Sequence, residues 1–334
     1  MNGRNPTRDD VAALAQTSSA VVSYVINNGP RNVSPERRER VLNAMAALNY
    51  YPNAHARSLA ATETRTLGMI VPNISNAYFA EFALAVEDAA IARDRLMFLG
   101  NSNEDAQREQ EYISSFLEQH VDGIIFIGVA LRSSIGRIIQ SGMSVVVVDR
   151  AIEGSDSTTI SIDHRQAARD ATRHLVEHGH RLIACLTGPA DQAVAEDRRQ
   201  GWADALTGAG IDPGRQILLR SPFSIRGGIS AFEQITASGC EHPTAIFTAS
   251  DEQARGVIVA AARRGVVIPR DLAIVSVDGT RESEFSNPAL TTVQQPYRRL
   301  AAAAVESVLA PEGTMPRHIE MEATLVVRQS CGCE

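Results

Sequence analysis

Between Leu67 and Val277 the chain switches repeatedly between two periods. Continuously apolar runs at Leu67–Val71, Leu96–Gly100, Gly123–Ile127, Val145–Val148 and Thr159–Ile162 are separated by amphipathic stretches near 79–93, 105–119 and 132–141. The series then restarts, with runs near Leu182–Leu186, Ile217–Arg220, Ala245–Thr248 and Ala273–Val277 and helical stretches near 164–178, 196–208, 226–238 and 252–264. A run that is apolar on every residue suits a strand buried on both faces, as in a parallel sheet with helices on each side. Two such series predict an α/β body of two doubly wound parallel-sheet lobes, 66–163 and 164–293. A last helix (296–309) and strand (319–327) are expected to return to the first lobe, which adds 294–330 to it.

Residues 1–51 carry a different pattern, that of three short helices. Thr7 is a candidate N-cap, with Asp9 and Asp10 in the first turn and an apolar stripe of Val11, Leu14 and Ala15. Ser18 can cap a second helix, Ser19 to Asn27, with Val22, Val25 and Ile26 turned inward. Asn28-Gly29-Pro30 breaks the chain. Ser34-Pro35 starts a third helix whose buried stripe is Val41, Met45 and Leu48. Two helices joined at Gln16-Thr17 form the arrangement that lays one helix in the major groove of DNA. Ser19, Ala20, Ser23, Tyr24 and Asn27 then face outward, a small polar surface able to approach base edges. Residues 52–65 read as a polar, alanine-rich linker.

A net charge of −7 looks wrong for a DNA binder until it is divided. Residues 1–65 hold eight Arg and five acids, a net +3, and the remainder is −10. The basic end can meet phosphates while the acidic bulk stays off the duplex. No apolar run approaches the roughly 18 residues of a membrane span. Met1 to Asp10 is polar, so a secretory signal is not expected and a cytoplasmic location is. Cys185, Cys240, Cys331 and Cys333 read as reduced thiols, and no zinc site or cofactor is expected because the usual paired spacings are missing.

Ligands of open parallel sheets sit beyond the carboxyl ends of the strands. Here Val71 is followed by Asn73, Ser75, Asn76, Tyr78 and Phe79, and Val148 by Asp149 and Arg150. Asp163 follows Ile162; Gly188, Pro189, Asp191 and Gln192 follow Leu186; and Phe223 follows the strand near 217–220. Ser250 and Asp251 follow Thr248, and Asp278 follows Val277. Carboxylates, amides, an arginine and aromatic rings gathered between two lobes suit a polyhydroxyl ligand. Gly208 to Gly214 is glycine-rich, but it follows a helix rather than a strand and reads as a turn. His178-Gly179-His180 reads as a helix end rather than a metal pair. No hydrolase elbow, His-Glu-x-x-His or phosphate loop occurs, so no catalytic residue is expected.

Val11 through Asn27 closely resembles the signature of the lactose/galactose-repressor (LacI/GalR) family. So do Val33-Ser34 with Arg40-Val41, Leu48-Asn49-Tyr50, Pro52-Asn53-Ala54 and Ala56-Arg57-Ser58-Leu59. The resemblance continues through Asn73-Ile74-Ser75-Asn76, Val121-Asp122-Gly123-Ile124, Gly179-His180-Arg181, Val277-Asp278 and Pro288 to Thr292, nearly the whole chain. It implies an all-α helix-turn-helix head on a periplasmic-binding-protein-like body. The implied protein is a repressor that binds a palindromic double-stranded DNA operator as a homodimer, with a tetramer left open. A small-molecule effector, a carbohydrate, would control it.

By the same resemblance Ser19, Ala20 and Tyr24 read bases, and Thr7, Ser18, Ser23, Asn27 and Tyr50 meet the phosphate side. Asn53 to Ala60 would be a hinge helix that orders when two copies pair on DNA, with Leu59 as a minor-groove wedge and Arg57 on a phosphate. Phe79, Arg150, Arg198, Phe223, Ser250, Asp251 and Asp278 would touch the effector, with Asn76 and Tyr78 close by. Trp202 is expected in the core. Gln16 stands where the turn often has Gly, Val21 where Thr is common, Tyr24 where Arg is frequent, and Ser250 where many sugar-binding members have Asn. His55 replaces an apolar residue.

Overall fold

The computed structural model describes residues 6–27, 32–51, 64–128, 131–149, 157–237, 242–311 and 313–333. The chain forms two units, Met1–Thr64 and Arg65–Glu334.

The first unit holds α1 (Arg8–Leu14), α2 (Ser19–Asn27) and α3 (Pro35–Ala47). Thr7 and Asp10 form a reciprocal capping box that satisfies two of the backbone donors left open at the start of α1. At its other end Gln16 takes φ +50°, while its own N–H reaches Ala13 O and the Thr17 N–H reaches Ala12 O. This is a Schellman turn made without glycine. Ser34 caps α3 and Pro35 opens it. Val11, Ala12, Ala15, Val22, Val25, Val41 and Ala44 form the core, with Ile26, Met45 and Leu48 packed at its margin. Leu14, expected in the stripe of α1, is 53% exposed. At about 100° per residue, Val11, Ala12 and Ala15 share one face, and Leu14 points roughly 110° away from its centre.

In the second unit β1 (Thr66–Val71), α4 (Ala77–Ile91), β2 (Leu96–Asn101), α5 (Ala106–Glu118), β3 (Ile124–Phe126), α6 (Leu131–Gln140), β4 (Val145–Val148) and β5 (Thr158–Ile162) build the first lobe. The second is built from α7 (His164–Glu177), β6 (Ile183–Thr187), α8 (Ala193–Gly208), β7 (Leu218–Arg220), α9 (Ile225–Ala237), β8 (Ala245–Thr248), α10 (Asp251–Arg263), β9 (Ala273–Asp278), α11 (Arg281–Phe285) and β10 (Thr291–Gln294). Met69 and Ile125 pack towards Phe82 and Val86 on one face of the first sheet, whereas Ile70 and Phe126 pack towards Ile113 and Ile138 on the other. Successive strand residues point to opposite faces, so a sheet covered on both sides needs apolar side chains at every position.

The last segment departs from expectation. α12 (Tyr297–Leu309) packs on the first lobe, and β11 (His318–Met321) joins its sheet parallel to β5. β12 (Thr324–Val326), expected as a continuation of the same strand, instead pairs antiparallel with β10. The strand orders are therefore β11-β5-β4-β3-β1-β2 and β12-β10-β9-β8-β6-β7. Residues 294–330 do not all belong to the first lobe, because Glu322 and Ala323 carry the chain back across. β12 then supplies partners for the open edge of β10. The lobes are thus joined at three places: after Ile162, after Gln294 and between Met321 and Thr324.

Candidate functional site

A cleft of about 920 Å³, counted out to its open mouth, lies beyond the carboxyl ends of both sheets. Its walls include Asn76, Tyr78, Phe79 and Asp149 from the first lobe and Arg198, Phe223, Ser250 and Asp278 from the second. Asn76 caps α4 by accepting from the Tyr78 N–H at 2.9 Å, and its amide donates across to Phe223 O at 3.3 Å. That cap points the Tyr78 ring into the lobe, where its hydroxyl donates to Asp149 Oδ1 at 2.6 Å. Burial and the Asp149 charge push the Tyr78 hydroxyl well above the usual range, so it stays a donor.

Opposite, Arg198 lies on α8, buried. Its guanidinium donates to Ala249 O, approaches Asp278 Oδ1 at 3.4 Å and stands 6.0 Å above the centre of the Phe223 ring. Its Nε has no hydrogen-bond partner among the described residues. Burial lifts the Asp278 carboxyl to about 8, against the pull of Arg198. Burial and the Arg198 charge hold His164 well below its ordinary value, hence neutral. Asp149 at φ +73° and Asp278 at φ +134° both occupy backbone conformations that side chains disfavour, each at the end of a strand. Gly279 follows at φ +74°, where a Cβ would lie 2.4 Å from Gln294 Cα. The turn that presents Asp278 therefore requires glycine.

One residue named for the cleft stands elsewhere. Asp251 does not line it. Its Oδ1 accepts from Ser276 Oγ at 2.5 Å and Thr292 Oγ1 at 2.7 Å, and its Oδ2 from the Thr280 N–H at 2.8 Å and Thr280 Oγ1 at 2.9 Å. A carboxylate with four donors is a tie between β9, β10 and the turn at Thr280. Arg150 lies outside the described residues. Ser250 does border the cleft, but its hydroxyl caps α10 by accepting from the Gln253 N–H at 3.2 Å. Trp202 is in the core, its indole N–H donating to Ile183 O at 3.2 Å.

On the first unit, Ala20 is exposed on α2, with Ser19, Ser23 and Tyr24 half-buried beside it. Ser19 donates to Asp9 Oδ1 at 2.6 Å, which ties the two helices together. Ser18 accepts from the Val21 N–H, Thr7 is engaged with Asp10, and Tyr50 packs against the core. The Asn27 side chain is outside those described, as are Asn53, Arg57 and Leu59.

Residues 64–328 match the family model of periplasmic binding proteins and the sugar binding domain of the LacI family. Residues 7–53 match that of bacterial regulatory proteins, lacI family. The chain belongs to the LacI family. It is 36% identical to catabolite control protein A of Staphylococcus xylosus over 94% of its own length and 98% of that relative's. The structure of the lac repressor dimer bound to operator and the anti-inducer ONPF superposes with a TM-score of 0.84 at 26% identity, covering 98% of this chain and 99% of that one. The complex of the transcriptional regulator CelR with cellobiose gives 0.71 at 28% identity, covering 97% and 99%. This LacI-family chain is a DNA-binding transcriptional regulator.

Sequence reasoning left several cleft residues of this regulator off its ligand set. Asp149 and Gln192 follow their strands and were visible by position, whereas Glu104, separated from β2 by two residues, was not singled out. Val194 and Ile127 supply apolar wall and carry no polar signal at all.

Proposed function

We propose that this LacI-family regulator is a cytoplasmic repressor that binds a palindromic operator as a homodimer and is controlled by a carbohydrate in the interlobe cleft. The observation that carries the effector reading is the pairing of Tyr78–Asp149 with Arg198–Asp278 across one cavity, flanked by the Phe79 and Phe223 rings. Carboxylate, phenol and guanidinium offer acceptors and donors to ring hydroxyls, and the aromatic faces suit the C–H face of a sugar. The described residues carry no helix long and apolar enough to cross a membrane. No residue is assigned a catalytic role.

Support for a dimer comes from apolar side chains left in water. Leu96, Phe98 and Leu99 on the edge strand β2 and Leu84 and Ile91 on the adjoining α4 are all exposed. An apolar sheet edge is an association hazard unless a partner covers it, and a second copy brings the same surface by two-fold symmetry. Two copies would carry two recognition helices to successive major grooves, with Ser19, Ala20 and Tyr24 towards bases. Thr7, Ser18, Ser23, Asn27 and Tyr50 would face phosphates. Asn53, Arg57 and Leu59 would form the hinge contacts at the operator centre. Effector binding changes the angle between lobes, and operator and effector then alter each other's affinity by one common factor, typically about 5–150-fold.

Thermal-shift screening against a sugar panel identifies the effector, and operator binding is then titrated with it at several salt concentrations. Specific binding should fall steeply with salt and change on adding the sugar. Leu59→Ala should weaken specific binding far more than nonspecific binding. A flat salt profile, or an equal loss in both modes, contradicts the reading.

A further inference from the structure

His174 and His178 stand one helical turn apart at the end of α7, and the C-terminal segment returns to them from the far end of the sequence. Cys333 Sγ lies 3.3 Å from His178 Nε2 and 3.8 Å from His174 Nε2. The donor atoms of these three residues all fall within 4.8 Å of one another. Cys331, two residues earlier, points elsewhere, its thiol donating to Arg328 O at 3.3 Å and accepting from Thr291 Oγ1 at 3.1 Å. Gly332, just before Cys333, takes φ +94°, a left-handed turn that glycine makes without strain.

We propose that His174, His178 and Cys333, with water in the fourth position, form a Zn²⁺ site that clamps the C-terminal segment to the first helix of the second lobe. In a tetrahedral site with Zn–S near 2.3 Å and Zn–N near 2.0–2.1 Å, sulfur and nitrogen ligands are roughly 3.6 Å apart, and the two separations to Cys333 straddle that value. Histidines at i and i+4 share a helix face, so no backbone rearrangement is needed to aim them together. Zn²⁺ displaces the proton of the Cys333 thiol and binds both imidazoles neutral, so the assembled site with a bound water carries one positive charge. His180 takes no part, because its ring is bonded to Thr244 Oγ1 at 2.9 Å beyond the turn at Gly179. The absence of the usual paired spacings had argued against zinc. Here two ligands sit at a helix end and the third about 150 residues later, joined only by the fold.

The test uses the full-length protein, reduced with a phosphine, stripped with EDTA under anaerobic conditions and titrated with Co²⁺. One Co²⁺ per chain should bind, with a thiolate-to-cobalt band in the near ultraviolet and intense tetrahedral bands in the visible, all bleached by one equivalent of Zn²⁺. Cys333→Ser and His178→Ala, at half-buried and exposed positions that leave the core intact, should each weaken Co²⁺ by on the order of a hundredfold. Cobalt spectra without the thiolate band, or an affinity unchanged in Cys333→Ser, overturn the proposal. So does a Cys331–Cys333 disulfide that persists in the reduced, stripped protein.

Discussion

Asp251→Ala removes the acceptor for four buried hydrogen bonds at once. Ser276, Thr292 and Thr280 can turn their hydroxyls elsewhere, but the Thr280 backbone N–H at 2.8 Å cannot. A stranded buried donor costs about 1–3 kcal/mol, and each lost hydrogen bond contributes roughly 1 kcal/mol. Burial already pushes the Asp251 carboxyl upward, so removing the charge returns part of this. A net loss of about 3–5 kcal/mol is expected. At roughly 2–4 °C per kcal/mol for a body of this size, Tm should fall by on the order of 10 °C. Asp251→Asn keeps an oxygen for the Thr280 N–H and offers its amide to the hydroxyls, so about 1–2 kcal/mol is expected. Thermal unfolding by circular dichroism, without added effector, measures both. If Asp251→Ala melted with the wild type and lost only effector binding, Asp251 would be a ligand contact and its role as a structural tie would be wrong.

Asp278, lifted by burial to about 8, should accept effector hydroxyls best when ionised. Effector affinity should therefore fall by up to about tenfold per pH unit below 8 and level off above it, a slope that Asp278→Asn abolishes in calorimetry. The folded-state value lies above that of the unfolded chain. The stability this group gives is thus full below the ordinary carboxylate range and lost as pH rises to about 8, which pH-dependent melting of the effector-free protein checks. Gln16→Gly should raise the stability of the helix-turn-helix unit by about 1 kcal/mol, because φ +50° suits glycine better than a side chain; unchanged melting of that unit contradicts this. Phe98→Asp on the exposed edge of β2 should shift the protein to monomer in sedimentation and weaken operator binding; an unchanged dimer places the interface elsewhere.

The lobes were legible because strands buried on both faces cannot hide their period: Val145–Val148 and Ala245–Thr248 stand in the structure where the sequence puts them. The break between β11 and β12 was not, since His318–Met321 and Thr324–Val326 are half-exposed edge strands whose pairing depends on which edge is open, and one strand over 319–327 was expected. Asp278 and Arg198 were found in the cleft by strand ends and by resemblance. Asp251 was placed there by the same reasoning, because position after a strand cannot tell a carboxylate facing a cavity from one facing Thr280. Leu14 misled because a seven-residue helix buries too narrow a face for the full i, i+3, i+4 stripe. His174 and Cys333 carry no joint signal in the linear chain.

Neither lobe is a continuous stretch of polypeptide. The first lacks α12 and β11, and the second lacks its edge strand β12, until residues past 320 have left the ribosome. Each half must therefore wait, partly assembled, for a piece made last, which makes folding non-local and slow compared with a chain of self-contained modules. Cutting the protein after α12 would leave two open sheets rather than one finished lobe and one damaged one.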